Sequence, residues 1–319
     1  MGHKFKIACC NNLSCNIIYP LVMKVERSNN IPLKDIGFLS LLMLGAAKSS
    51  IIGKFTHEKG SHWPKSGSYL LPILESVGKR KTPLELYPIV NHFYDYIRMT
   101  DDLFDKNATL LTWENIKGNL KTVEVPLFKI IEQSKIVNQR EREHIIKRIN
   151  LLGESVYKTM RTKNMWTKTP SFDEAYTYRL DTTGTLSNVV ADTWCIFAKV
   201  PDDHRTKTRE VIKRLGMVLQ FRDDLADLRQ DGEMDGNLVI AVLNEANEKD
   251  SLFNSIEKSK SKINLIKLLK IHAPRSFKRI MDYMNIEFEI IRKQSPNAGS
   301  KLADLIQFAT YNNIFIKTE

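Results

Sequence analysis

Apolar residues recur at three- and four-residue steps along most of this chain. Between Leu84 and Leu103, the residues Leu86, Ile89, Val90, Phe93, Ile97 and Met99 follow mainly that spacing, which lines one face of a helix rather than one face of a strand. The same periodicity predicts helices over 34–55, 125–161, 172–198, 205–230, 236–247, 251–271 and 275–293. No run alternates convincingly as a strand does, and no segment repeats. Glycine (14) and proline (11) are sparse, so the predicted fold is all-α.

The interruptions are short. HEKGSHWPKSG at 57–67 reads as a polar loop. TKNMWTKTPS at 162–171 ends one helix and offers Ser171 as a cap for the next, with Glu174 at capping-box distance. KVPDDH at 199–204 and RQDGEMDGN at 229–237 are further connections, the second carrying Gly232. Links of this length suit a compact bundle. The organisation read from the chain is an N-terminal segment over 1–33, flexible or a targeting element, followed by a single all-α domain over 34–319.

Composition changes this picture little. The chain has 319 residues, 42% hydrophobic and 27% charged, with ample length for a core. Its longest apolar run, IGFLSLLMLGAA at 36–47, stops at Lys48, short of the roughly 18 to 20 residues that span a bilayer. The net charge of +11 suits nucleic acid, a diphosphate substrate or an anionic membrane surface alike. With no CxxC pair, zinc-finger spacing or RNA-binding aromatic motif, nucleic acid is not an expected partner. Cys9, Cys10 and Cys15 crowd the N-terminus and Cys195 lies in an apolar run, which is no disulfide framework. A reducing, cytoplasmic location is the default, although the first 25 residues lack acid and leave organelle targeting open.

Against the basic balance, DYIRMTDDLFDKN at 95–107 concentrates acid. On a helix Asp101, Asp102 and Asp105 lean towards a common point, a costly arrangement unless a cation sits there. Magnesium fits, because it takes one or two carboxylates, keeps waters and accepts further oxygens from a phosphate. The D-D-x-x-D pattern returns 122 residues later as Asp223, Asp224 and Asp227 in QFRDDLADLRQD. On facing helices the two clusters would form opposite lips of one cavity.

In these motifs the chain resembles the class I isoprenoid synthases: trans-prenyltransferases, squalene and phytoene synthases, and class I terpene synthases. DDLFD is similar to their first aspartate-rich motif and QFRDDLAD to the second, over most of residues 60–245. The resemblance implies a single-domain helical bundle around a central hydrophobic cavity. It implies several Mg2+ ions, with Mn2+ as a substitute, held by Asp101, Asp102, Asp105, Asp223, Asp224 and Asp227 and bridging to a prenyl diphosphate. It also places Gln220 among the substrate-binding candidates, and a homodimer is compatible with it.

Ionisation of an allylic diphosphate needs positive charge around the leaving group. Arg98, Arg222 and Arg229 flank the clusters, Arg98 being the substrate-binding candidate; each also suits an intrahelical ion pair. In YRLDTTGTLSNVVADTW at 178–194, Thr182, Thr183 and Gly184 predict a kink. In the resembling families a helix breaks here, turning backbone groups to the cavity, and a nearby basic residue senses the diphosphate. Arg179, 44 positions before Asp223, matches that role, so the catalytic set expected is Asp101, Asp105, Asp223 and Arg179. Phe93, Tyr94, Tyr157, Tyr178, Trp194 and Phe221 are candidate aromatic walls that would stabilise a carbocation.

The basic pocket for isopentenyl diphosphate in chain-elongating enzymes, G-G-K-R-L-R-P, would fall at SGSYLLPIL, 66–74, where Ser68, Tyr69 and Leu71 stand instead. The paired arginine expected after the first motif is absent from DKNATLLTW, 105–113. The leading expectation is therefore a terpene synthase that cyclises or rearranges one prenyl diphosphate. The alternatives are chain elongation and head-to-head condensation. YIRMTDDLFD resembles the R-x-x-D-D-x-x-D of phytoene synthases, whereas Asp223-Asp224 departs from their second motif. From a different class comes a silent regulatory subunit of a prenyltransferase, which would not need both aspartate motifs. The basic stretch 254–281, divided by Pro274, reads as packing plus a solvated face, with peripheral membrane contact as its second reading.

Overall fold

The computed structural model describes residues 67–90, 92–93, 95–96, 99, 112–163, 165–228, 235–258, 263–295 and 315–316. The expected 34–55 helix, the 1–33 segment and the first aspartate motif lie outside them. The described helices are α1 (Gly67–Gly78), α2 (Trp113–Gln133), α3 (Gln139–Lys163), α4 (Phe172–Arg179), α5 (Thr185–Phe197), α6 (Asp202–Ala226), α7 (Leu238–Glu245), α8 (Lys249–Glu257), α9 (Leu265–His272) and α10 (Pro274–Gln294). A π-helical turn, Leu180–Gly184, joins α4 to α5. Residues 86–90 are helical too, and helical conformation recurs at 92–93, 95–96 and 99. Two strands of two residues, β1 (Ile263–Asn264) and β2 (Phe315–Ile316), pair antiparallel.

Two predicted helices are each divided. The one expected over 125–161 is α2 and α3, because Asn138 and Glu141 cap reciprocally: Glu141 N–H donates to Asn138 Oδ1 and Asn138 N–H to a Glu141 carboxylate oxygen, both at 2.9 Å. The one expected over 251–271 is α8 and α9. The capping box at Ser171 forms as predicted, with the Ser171 hydroxyl accepting from Glu174 N–H and the Glu174 carboxylate accepting from Ser171 N–H at 2.8 Å. No helix among the described residues is long and apolar enough to cross a membrane.

α6 organises the bundle. Its Val211, Leu215, Val218, Phe221 and Leu225 are buried at helical spacing, and the helix packs against α1, α5 and α10. α5 is buried on all sides from Val189 to Phe197, as a central helix should be. α10 buries Ile280, Met284, Phe288 and Ile291 and joins α6 through the Arg214–Glu287 ion pair at 2.9 Å. This frame holds the C-terminal end of α6, where the second aspartate motif lies, beside the π turn.

Candidate functional site

The π turn arises where the sequence predicts a kink. Thr185 N–H reaches back five residues to the Leu180 carbonyl, and the Thr182 hydroxyl donates to the Tyr178 carbonyl at 3.0 Å. The expected break is thus a widened turn in a continuous helix. Gly184 faces Lys213 of α6 across the turn, and a Cβ there would crowd Leu180 Cδ1 at 3.1 Å. Thr183 points to α6 as well, its hydroxyl donating to Gln220 Oε1 at 2.7 Å.

Gln220 passes the connection on: its Nε2 donates to Asp224 Oδ1 at 2.6 Å. The same oxygen accepts from an Arg179 terminal nitrogen at 3.1 Å, and Asp224 Oδ2 accepts from Leu238 N–H at 2.7 Å. Asn237 completes the knot. Its Nδ2 donates to the Asp224 carbonyl at 2.7 Å, while its Oδ1 caps α7 by accepting from Val239 and Ile240. Arg179 Nε donates to the carbonyl of Gly236, which has φ +68° and packs on Trp166 and Tyr178. A side chain at position 236 would be strained in that backbone region.

This network sorts the three aspartates of the second motif. Asp224 is 2% exposed, and both its oxygens accept from protein donors. Asp223 is exposed and Asp227 half-buried, one helical turn apart at the end of α6, where Asp227 N–H donates to the Asp223 carbonyl. Their two carboxylates fit the coordination habits of a hard divalent cation that completes its shell with water and phosphate oxygens. Among the described residues no group of three or more His, Cys, Asp or Glu is placed to hold a metal. Asp101, Asp102 and Asp105 lie outside those residues, as do Arg98, Tyr94 and Arg229.

The expected aromatic walls divide. Phe93, Tyr178, Trp194 and Phe221 are buried in the hydrophobic core. Phe221 packs on Tyr283 and Phe172, with ring centroids 5.1 and 6.2 Å away, and Trp194 Nε1 donates to the Thr82 hydroxyl at 3.1 Å. Tyr157 is half-buried against Trp113. The reading from sequence missed Asn237 and Gly236, although the D-G-N run at 235–237 carries both the turn and the cap signal.

No family model matches the chain, and no curated protein matches it. Solved structures do. The chain is similar to the geranylgeranyl pyrophosphate synthetase of Pyrococcus horikoshii Ot3 at 13% identity and TM-score 0.55, over 93% of this chain and 95% of that one. It is similar to the geranylgeranyl pyrophosphate synthetase of the archaeon Geoglobus acetivorans at 12% identity and TM-score 0.55, over 93% and 98%. It is also similar to a polyprenyl synthetase of Streptomyces coelicolor A3(2) at 13% identity and TM-score 0.53, over 92% and 97%. At these identities the likeness shows the fold alone, an all-α bundle like that of these synthetases.

Proposed function

We propose that this protein is a magnesium-dependent enzyme acting on an allylic prenyl diphosphate, and that it transfers the prenyl group in chain elongation as a prenyl diphosphate synthase. The observation that carries the reading is the second motif at the end of α6, with Asp223 exposed and Asp227 half-buried one turn apart beside the buried Asp224. The neighbouring structures support elongation over cyclisation, since their names are those of geranylgeranyl and polyprenyl synthetases. This reverses the order expected from the sequence.

Asp223 and Asp227, with Asp101, Asp102 and Asp105, would hold the magnesium. When bound, the metal supplies positive charge against the departing diphosphate. The chain's own contribution is positioning. Arg179 and Gln220 fix Asp224, and Asp224 fixes the last turn of α6, so that Asp223 presents its carboxylate without rearrangement. The role given to Arg179 is accordingly that of a positioning residue, held to Asp224 and the Gly236 carbonyl.

A terpene synthase is the second reading, and α1 favours it. Gly67–Gly78 contains no lysine or arginine where elongating enzymes carry basic residues for isopentenyl diphosphate. The test is incubation of purified protein with ten-, fifteen- and twenty-carbon allylic diphosphates, with and without magnesium and isopentenyl diphosphate, followed by mass spectrometry of the products. A longer diphosphate that appears only with isopentenyl diphosphate supports elongation. A cyclic hydrocarbon or alcohol from one diphosphate alone would move the assignment to a terpene synthase, and no magnesium-dependent diphosphate release would leave a silent subunit.

A further inference from the structure

A second polar site lies at the opposite end of α6. A cleft of about 420 Å³ opens between α3, α5 and the first turns of α6, lined by Arg140, His144, Arg148, Asp192, Arg205 and Arg209 among others. Fourteen residues of α6 separate Arg209 from Asp223, about 21 Å at 1.5 Å per helical residue. The cleft is therefore remote from the aspartate motif.

Asp192 is the anomaly that organises it. The residue lies within the wholly buried face of α5, its side chain 10% exposed, where a lone carboxylate is costly. Three bases answer it: His144 Nε2 at 3.2 Å, Arg148 Nε at 3.6 Å and Arg209 at 3.4 Å. One arginine would neutralise one carboxylate, so the cluster carries surplus positive charge. Arg140 adds a guanidinium with no hydrogen bond or ion pair among the described residues. The other acids near the cleft are engaged or solvated. Glu141 accepts from Lys199 Nζ at 2.6 Å, and Asp202, paired with Arg205 at 3.3 Å, is 93% exposed.

We propose that this cleft binds the phosphate or diphosphate group of a small soluble molecule. Asp192 acts there as a positioning residue: by holding Arg148 and Arg209 it fixes the direction of their guanidinium forks, which match phosphate oxygens in pairs. The volume exceeds that of inorganic diphosphate and admits a phosphorylated organic molecule. The inference stands apart from the prenyl diphosphate reading, because it uses none of the same residues.

The test is calorimetric titration of the full chain with inorganic diphosphate, inorganic phosphate, adenosine 5′-diphosphate and citrate, in EDTA so that no metal assists the aspartate end. The expected result is saturable diphosphate binding, one per chain, weakened about tenfold in Arg148→Gln/Arg209→Gln and unchanged in Asp223→Asn. Because the double variant leaves Asp192 short of partners and puts folding at risk, Arg140→Gln is the companion. It removes no contact of the fold and should weaken binding about threefold or more with unchanged melting temperature. A preference for adenosine diphosphate over inorganic diphosphate would identify an organic phosphate as the ligand, and the reverse the inorganic ion. Citrate binding as tightly as diphosphate, no binding in EDTA, or equal binding by Arg140→Gln would each overturn the proposal.

Discussion

Arg179 and Asp224 stand 45 positions apart in the chain and 3.1 Å apart in the fold, joining the π turn to the end of α6. Removing the carboxylate takes the charged partner from a largely buried guanidinium and also frees Gln220 Nε2 and Leu238 N–H. Asp224→Ala should therefore cost about 3 kcal/mol, the scale for one partner lost from a buried charge pair. Guanidinium unfolding followed by circular dichroism reads this directly; a loss under about 1 kcal/mol would mean the knot is not structural.

Asp223 makes the opposite prediction. Its exposed position on the same turn means that Asp223→Ala should change stability by less than about 0.5 kcal/mol. Magnesium-dependent diphosphate release should nevertheless fall by about a hundredfold or more. Equal damage to stability by the alanine variants at 223 and 224 would contradict the division of labour drawn between them.

Gly78 ends α1 directly under Trp194. A Cβ at position 78 would stand 2.5 and 2.7 Å from two carbons of the six-membered ring of that fully buried indole. Gly78→Ala should cost about 1–3 kcal/mol by overpacking. Trp194→Phe shortens the obstructing side chain, so the double variant should show favourable coupling of about 1 kcal/mol. Additive losses would indicate a cost from the backbone instead.

Glu248 anchors the start of α10. Burial pushes its carboxyl up, but hydrogen bonds from the backbone and hydroxyl of Ser276 and from Arg275 outweigh this and hold it below the ordinary carboxylate value. A depressed folded pKa stabilises the protein above the unfolded value, near 4.3, and that contribution fades as pH falls through the folded one. Glu248→Gln should thus be less stable than the natural protein by about 1–2 kcal/mol at pH 7. Urea unfolding at descending pH should show the gap closing below about pH 4; a gap independent of pH would show that the charge contributes nothing.

Local chemistry was readable where the partners are near in sequence. Ser171 and Glu174 announce their capping box, and Thr182, Thr183 and Gly184 mark the altered turn. The division at 134–138 also left a trace, an asparagine three residues before Glu141, but the apolar period ran through it and prevailed. Asp224 is different. Three aspartates in D-D-x-x-D are alike as residue types, and only the fold, by bringing Arg179 and Leu238 to Asp224, makes that one the buried member. The basic cleft was legible only as an oddity, one acid in the apolar run around Asp192.

The π turn sets the phase of everything after it on the same helix. One extra residue at 180–184 rotates α5 by about 100° relative to an uninterrupted α-helix. That rotation faces Asp192 of α5 towards Arg148 and Arg209, while Thr183 within the turn meets Gln220. Deleting a single residue from Leu180–Gly184 would act as a frame error in three dimensions. It would preserve helical content while turning Asp192 and the rest of α5 away from their partners at once.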